Sequence, residues 1–171
     1  MNILNKFREG NTFSFIKENT SFFLLIVIIF TLDRITKYKI LNDFSDSTYF
    51  INDYLNLNLI WNIGIGFGLL STQTTLIYNF ITFIIGIFII ALILMSVTTK
   101  NLEKISYGLI IGGALGNFYD RLIFRAVPDF IDIHIKNIHW FTFNVADMCI
   151  TIGIIFYLIF DMFKFKNAEN E

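Results

Sequence analysis

The sequence predicts an all-α membrane protein with four transmembrane helices, a small extracytoplasmic β-sheet and loop region, and both termini in the cytoplasm. The first observation is composition. The 171 residues are 55% hydrophobic and only 16% charged, too few charges to cover the surface of a soluble domain of this length. The second observation is four long apolar stretches, and the third is a one-sided distribution of Lys and Arg. We expect residues 1–171 to form a single integral-membrane domain.

A helix that crosses a bilayer needs roughly 20 mostly apolar residues, and four stretches have about that length. They cover about residues 21–41, 75–97, 105–124 and 144–163. The first stretch has the position of a signal peptide, but no small-residue cleavage site follows it and it continues into the charged run DRITKYK. We therefore expect an uncleaved helix rather than a leader that is removed.

Basic residues predict the orientation, because the cytoplasmic segments of membrane proteins are enriched in Lys and Arg. They occur in both tails and between the second and third stretches, at Lys6, Arg8, Lys17, Lys100, Lys104, Lys164 and Lys166. The segment Asn42–Gln73 has none. This pattern places both termini in the cytoplasm and the two longer loops, at about 42–73 and 125–142, outside.

The first outer loop contains an alternation of apolar and polar residues that is typical of a half-buried β-strand. Its apolar side consists of Leu55, Leu57, Leu59 and Trp61. The alternation runs into Gly64, Gly66 and Gly68, which permit tight turns or a close approach of the backbone to a ligand. Such a strand either holds an extended peptide by strand addition or forms a plain hairpin at the interface, and the pattern fits both.

The first stretch carries charges at its outer end. Asp33 and Lys37 are four residues apart, so they share a helix face in the order that favours an ion pair. Ionisable groups inside membrane segments are costly and indicate a functional site. The pair either braces such a site or is a structural ion pair alone.

The third stretch ends with a second group of polar residues. Gly108, Gly112 and Gly116 recur every four residues, a spacing that lets membrane helices pack closely. Asn117 and Arg121 share one face. Asp120 is expected to pair with Arg121 or with a neighbouring cation.

The segment VPDFIDIHIK in the second outer loop also alternates. Asp129 lies on the side of the isoleucines, and a carboxylate directed into an apolar interior is expensive unless it is protonated or paired. Asp132 lies on the other side with His134 and Lys136. We expect Asp132 to be solvated and dispensable.

The fourth stretch opens with FNVADM, in which Asn144 is a candidate N-cap and Asp147 the third helical residue. An acid at that position stabilises a helix start by itself, and this role stays open beside a catalytic one. If Asp129 and Asp147 face each other, they can share one proton. One carboxylate then takes a proton from water while the other polarises a carbonyl. That chemistry is an aspartic hydrolysis of peptide bonds.

The sequence offers no convincing cofactor site. His134 and His139 lack metal-ligand spacing with a third strong ligand, so we interpret them as interfacial and expect no metal. The net charge of −1 gives no electrostatic footprint for a nucleic acid. The single cysteine, Cys149, excludes an internal disulfide.

The motifs LDRITK, NIGIGFG, GGALGNFYDR, VPDFID and FNVAD, in this order over about residues 21–163, closely resemble those of the lipoprotein signal peptidase (signal peptidase II) family. The resemblance implies a multi-pass aspartic endopeptidase of the bacterial cytoplasmic (inner) membrane. By motif match, its catalytic pair is Asp129 and Asp147. The supporting residues that it implies are Asp33, Lys37, Asn62, Gly64, Asn117, Asp120, Arg121 and Asn144.

The resemblance also implies partners. The substrates would be prolipoprotein signal peptides with attached diacylglycerol, cut just before the lipidated cysteine at the outer face of the membrane. The acyl chains would stay in membrane lipid, and the amide and guanidinium groups of Asn62 and Arg121 would hold the peptide backbone. Globomycin-like cyclic peptides would inhibit the enzyme. It would act as a monomer without a cofactor.

Two departures from the family pattern affect the expected shape of the loops. Ile65 and Gly66 stand where the family usually has alanines, and Pro128 stands where it usually has a valine. Proline fixes φ and removes a backbone donor. A competing class is a non-enzymatic scaffold or transporter subunit. A transporter more often has repeats and charges near mid-membrane, whereas here the charges gather at one end.

Overall fold

The computed structural model describes residues 12–44, 48–64, 75–99, 102–136 and 138–168. Within these ranges the chain forms four helices and four strands. The helices are α1 (Thr12–Asp43), α2 (Thr75–Thr98), α3 (Leu102–Phe124) and α4 (Val145–Ala168), and the strands are β1 (Tyr49–Asn52), β2 (Leu55–Asn62), β3 (Val127–Ile135) and β4 (Ile138–Phe143). The four predicted helices form, with somewhat different ends, and the strands lie in the two predicted outer loops. Ile65, Gly66 and Gly68 lie outside the described residues, as do Lys6, Arg8 and Lys100.

Three of the described helices are long and apolar enough to cross a membrane, over Asn19–Asp43, Thr75–Val97 and Val145–Phe163. Large apolar side chains on these helices are exposed, including Leu76, Phe80 and Phe88 of α2. This surface suits contact with lipid. Helix α3 does not meet the same criterion of length and composition, since it carries charges near both ends and several glycines.

Helix α3 occupies the centre of the bundle and packs against the other three helices. The glycines spaced four residues apart allow the close helix packing that was predicted, and they face α1, with Gly108 against Leu25 and Gly112 against Ile29. A Cβ atom on Gly116 would lie 2.5 Å from the carboxylate oxygen Oδ2 of Asp33. Glycine is therefore required where α3 approaches the charged end of α1.

The four strands form one antiparallel sheet in the order β1-β2-β3-β4. Strand β2 is the strand predicted from the alternation, but a β-bulge interrupts it. Leu57 pairs with Ile131, whereas Ile60 pairs with Asp129, so β2 has one extra residue between these pairs. Beyond the bulge, Asn62 rather than Trp61 lies on the face of Asp129. The predicted alternation is therefore wrong at Trp61.

Strand β3 follows α3 after a tight turn in which Arg125 has a φ of 55°. Pro128 is accommodated in this strand opposite Trp61. Asp129 is buried, as predicted. Asp132 is not solvated: it is only 2% exposed, because its carboxylate lies 2.8 Å from Nδ1 of His139 and the ring of His139 stacks on that of His134.

The predicted division of β3 into two sides is nevertheless correct. Asp129 shares a side with the isoleucines, but Ile133 and Ile135 at the end of that side are 41% and 49% exposed. Alternation indicates which side chains share a face, not which face the rest of the fold covers. The expectation that Asp132 faces solvent was wrong for this reason.

Candidate active site

Asp129 on β3 is held by two asparagine amides. Asn62, at the end of β2, donates from Nδ2 to Oδ2 of Asp129 over 2.9 Å. Asn144, which joins β4 to α4, donates from Nδ2 to the other carboxylate oxygen over 2.6 Å. Each oxygen of this buried carboxylate therefore accepts one hydrogen bond, and its orientation is fixed from two sides.

Asp147 lies in the first turn of α4, and Asn144 is the N-cap of that helix. The backbone N–H of Asp147 donates to the side-chain oxygen of Asn144 over 3.0 Å, and the N–H of Asn144 donates to Oδ2 of Asp147 over 3.3 Å. This reciprocal pair is a capping box. Asn117 of α3 donates to the other oxygen, Oδ1, over 2.8 Å. The cap thus orients the carboxylate, so capping and a chemical role are compatible.

The orientation of all three asparagine amides is determined by what their oxygens accept. The oxygen of Asn62 accepts from the backbone N–H of Gly64, and that of Asn117 accepts from Lys37. The oxygen of Asn144 accepts from the N–H of Asp147. Their NH₂ groups must therefore point to the aspartates. Asn144 contacts both carboxylates and links β3 to α4.

Behind Asn117 lies a buried ion network between α1 and α3. Nζ of Lys37 is 3.0 Å from Asp33 and 2.7 Å from Asp120, and it also donates to Asn117 over 2.8 Å. The ammonium group thus donates two hydrogen bonds and forms an ion pair with Asp33. The predicted pair of Asp33 with Lys37 is confirmed, and it does brace the aspartate pair through Asn117.

Arg34 completes this network, and sequence reasoning did not assign it a role. Its guanidinium donates to both oxygens of Asp120, over 2.5 and 2.8 Å, and to Asp33 over 2.6 Å. Asp120 therefore pairs with Arg34 and Lys37, not with Arg121. The signal that would have found Arg34 is the DR pair in LDRITK, because a buried Asp120 needs a cation. Asp33 also accepts from the N–H of Ala146 in α4 over 3.2 Å.

Arg121 is engaged by backbone carbonyls of its own chain. It donates to the carbonyl of Gly64 over 2.9 Å and to that of Asn117 over 3.2 Å. Its Nε is buried and has no hydrogen-bond partner among the described residues. Asn62 uses one of its two amide hydrogens on Asp129. Among the described residues, both side chains therefore keep N–H donors beyond those already used.

Both aspartates line a cavity of about 300 Å³. One part of its wall is polar and includes Asn62, Asn117, Arg121, Asp129 and Asp147; the other part is apolar and includes Ile85, Ala114, Val127, Ile150 and Ile154. The apolar part follows two turns of α4 below Asp147. The cavity thus joins the carboxylates to the hydrophobic zone of the helices.

The pKa of Asp129 is raised from its ordinary value to about 6. Burial is the main cause, and the negative charge of Asp147 adds to it. The hydrogen bonds from Asn62 and Asn144 and the charge of Lys37 act in the opposite direction. Burial beside a second carboxylate therefore favours the protonated form of Asp129.

Two carboxylates that meet in a cavity at the ends of membrane helices are typical of a membrane-embedded aspartic peptidase. Residues 25–164 match the family described as signal peptidase (SPase) II. The chain is 46% identical over 151 residues to a lipoprotein signal peptidase of Pelagibacter ubique (strain HTCC1062), covering 86% of this chain and 91% of that protein. It is 36% identical over 159 residues to one of Francisella tularensis subsp. novicida (strain U112), covering 90% and 98%.

Solved structures agree with this relationship. A bacterial membrane enzyme determined by the in meso method at 2.3 Å resolution superimposes with a TM-score of 0.73 at 31% identity, covering 86% of this chain and 91% of that chain. A second, at 1.9 Å resolution, gives a TM-score of 0.70 at 31% identity, covering 82% and 91%. The chain belongs to the signal peptidase II family. It is a protease that removes signal peptides from prolipoproteins.

Every predicted site residue lies in or beside this site. Asp129 and Asp147 line the cavity. The three asparagines contact them directly, Lys37, Gly64 and Arg121 each contact one of those asparagines, and Asp33 and Asp120 contact Lys37. The expectation that the histidines have no third metal ligand is wrong, because Asp132 meets both of them.

Proposed function

We propose that Asp129 and Asp147 are the catalytic pair with which this enzyme cuts diacylglyceryl-modified prolipoproteins just before the lipidated cysteine. The observation that carries this proposal is the convergence of the two carboxylates on one cavity, each oriented by asparagine amides. Their different elements, β3 and α4, are joined by Asn144. This geometry leaves the space between them for a substrate.

The chemistry follows if the two carboxylates share one proton. With that proton on Asp129, Asp147 takes a proton from water, whose oxygen attacks the scissile carbonyl carbon. Asp129 gives its proton to the carbonyl oxygen, which produces a tetrahedral diol. When the C–N bond breaks, Asp147 returns its proton to the leaving nitrogen and Asp129 recovers one from the diol. The cycle balances without a cofactor.

The pH dependence of kcat/KM should report the shared proton. The pKa of Asp129 is raised to about 6, so the proton is present below that pH and is lost as the pH rises through it. We expect kcat/KM of the free enzyme to fall by about tenfold per pH unit above pH 6. The measurement is cleavage of a lipidated precursor in detergent micelles between pH 4.5 and about 8.5.

A matched variant separates this assignment from a general effect of pH. Asn62 donates to Asp129 and thereby lowers the pKa of that carboxyl. In Asn62→Ala the descending limb should move to higher pH, whatever the change in maximal rate. A limb that stays in place or moves to lower pH would assign the titration to another group.

The cavity also suits the substrate. Its apolar part, along Ile150 and Ile154 of α4, offers an acyl chain or the apolar signal peptide a path from the bilayer to the carboxylates. Keeping acyl chains in an apolar environment contributes about 0.8 kcal/mol per buried methylene. Arg121 lines the polar part of the cavity, so its guanidinium is a donor for a carbonyl of the extended peptide.

Matched precursors test the requirement for lipid. One precursor carries the diacylglyceryl group on its cysteine and the other does not, and both are presented in the same micelles. We expect kcat/KM to be at least about 100-fold higher for the lipidated one, because remote binding energy stabilises the transition state. Equal kcat/KM values for the two precursors would show that the enzyme does not recognise the lipid. The proposed aspartic mechanism would be unaffected by that result.

The proposed location is the bacterial cytoplasmic membrane, with α3 as a fourth span, both termini in the cytoplasm and the sheet outside. The positions of Lys and Arg support this topology. The pairing of α3 charges with α1 supports a fourth span, because it neutralises Asp120. A reporter inserted at the exposed Asp53 turn should be active outside, and one fused after Thr99 should be active in the cytoplasm. The reverse result would contradict the proposed site location.

The two aspartates and the three asparagines that orient them form the site within one chain, so a monomer is sufficient for the proposed chemistry. A cyclic peptide with a lipid tail, such as globomycin, has a polar backbone and an apolar chain. These two parts match the polar and the apolar parts of the cavity wall. We infer that such a compound occupies the cavity with a polar group between Asp129 and Asp147.

A further inference from the structure

A second group of convergent side chains lies on the opposite face of the sheet from the active site. It consists of Asp132, His134 and His139, whose potential ligand atoms all lie within 4.8 Å of one another. Asp132 follows Asp129 by three residues on β3, so the two carboxylates point to opposite faces, about 10 Å apart along the strand. The catalytic pair makes no use of this group.

A β-bulge in β4 brings His139 to this face. Ile133 pairs with Phe141, whereas His134 pairs with His139, so β4 has one extra residue, Trp140, between these pairs. In a regular ladder without the bulge, Trp140 would lie opposite His134 and His139 would lie on the other face. Bulges re-aim side chains at functional places in sheets, and here the result is three strong ligands on one face.

Several polar atoms of this group have no hydrogen-bond partner within it. Nδ1 of His139 is 2.8 Å from Oδ2 of Asp132, but Nδ1 of His134 is 3.9 Å from the same oxygen and has no hydrogen-bond partner among the described residues. Oδ1 of Asp132 has none either. Both atoms are buried. Asn56 of β2 pairs with Asp132 of β3. Its side-chain oxygen is a third buried atom with no hydrogen-bond partner among the described residues.

We propose that Asp132, His134 and His139 bind one divalent transition-metal ion of the zinc type. Zinc prefers imidazole and carboxylate ligands at about 2.0–2.2 Å, which places ligand atoms in a tetrahedron about 3.4 Å apart. The two separations from Oδ2 of Asp132, 2.8 and 3.9 Å, lie on either side of that value. One ion would give a partner to both Nδ1 of His134 and the carboxylate of Asp132. The hydrogen bond between Asp132 and His139 alone leaves the nitrogen of His134 without one. Asn56 or water completes the coordination.

The bound ion would fasten β4 to β3 at the turn between them. Strand β4 ends at Phe143, directly before Asn144, which contacts both aspartates. The metal site would therefore be a structural site that stabilises the sheet on which the active site lies. It is independent of the proposed peptide-bond chemistry, which needs no metal.

The test uses the full-length chain in detergent micelles without a polyhistidine tag. Titration with Zn²⁺ in a calorimeter should give one ion per chain, and Co²⁺ should produce the visible absorption bands of a low-coordinate complex. His139→Ala should weaken Zn²⁺ binding by at least about tenfold. This side chain is 58% exposed, so its removal leaves the packing of the core intact. His134→Ala should have the same effect.

Two control variants locate the ion. Asp53→Asn removes an exposed carboxylate of the same sheet, and Asp129→Asn removes the active-site carboxylate; both should bind Zn²⁺ as the parent chain does. Zn²⁺ should also raise the thermal unfolding temperature of the parent chain and of both controls, but not of the histidine variants. Absence of saturable binding, or binding that survives both histidine substitutions or is lost in Asp129→Asn, would overturn the proposal.

Discussion

Asp129→Asn should reduce cleavage of a lipidated prolipoprotein by about 10,000-fold, the upper range for removal of a general acid or base. Asparagine has the shape of aspartate but holds no transferable proton at this position. It also turns an NH₂ group toward the amide of Asn62 or Asn144, where a carboxylate oxygen now accepts. Asp147→Asn should have an effect of the same size, because the two carboxylates act as a unit.

Rates for these variants should be compared with Asp53→Asn, which changes an exposed aspartate of the β1–β2 turn and should retain full activity. Thermal unfolding in the same micelles shows whether each variant is folded. If folded Asp129→Asn keeps a tenth or more of the parent activity, the catalytic assignment is wrong (about 1.4 kcal/mol is too little for a proton-transfer group).

Lys37→Met should produce the largest loss of stability. The ammonium group donates to Asp120 and Asn117 and forms an ion pair with Asp33, and Lys37 is 1% exposed. Its removal leaves two buried carboxylates with Arg34 alone, and breaking a buried ion pair from one side costs about 3–5 kcal/mol. The free energy of unfolding in detergent should fall by that amount, and activity should fall because Asn117 loses the contact that orients it toward Asp147.

Two comparisons make this result specific to the ion network. Lys39→Met removes an exposed lysine of the same helix and should change stability by less than about 0.5 kcal/mol. The double variant Lys37→Met/Asp120→Asn removes one of the uncompensated charges and should recover part of the lost stability. A single variant as stable as the parent chain would mean that the network contributes nothing to folding.

Much of the fold could be predicted because it depends on short-range patterns. Apolar runs long enough to span a membrane predicted the helices. The alternation of apolar and polar residues predicted β2 and the side of β3 on which Asp129 lies. The two aspartates proposed as catalytic could be found for the same reason: Asp129 was the polar exception on an apolar side, and Asp147 followed a recognisable N-cap. Each of these signals is contained within a few residues.

The remaining features depend on contacts between distant segments. Two β-bulges shift the parity of their strands, which puts Asn62 rather than Trp61 beside Asp129 and turns His139 toward Asp132. An extra residue in a strand leaves no mark in its hydrophobic pattern. The DR pair makes Arg34 a candidate cation, but Arg34 is 86 residues from Asp120 along the chain, and no local pattern connects the two.

The ion network is electrically balanced, and the balance determines how the site responds to membrane voltage. Asp33 and Asp120 are matched by Arg34 and Lys37. If the proposed catalytic pair shares one proton, its single negative charge is matched by the positive charge of Arg121. A transmembrane potential does work only on net displaced charge, about 2.3 kcal/mol per elementary charge per 100 mV. A rigid shift of this cluster along the bilayer normal displaces none, so the gradient that energises the membrane does not bias the geometry in which peptides are cut.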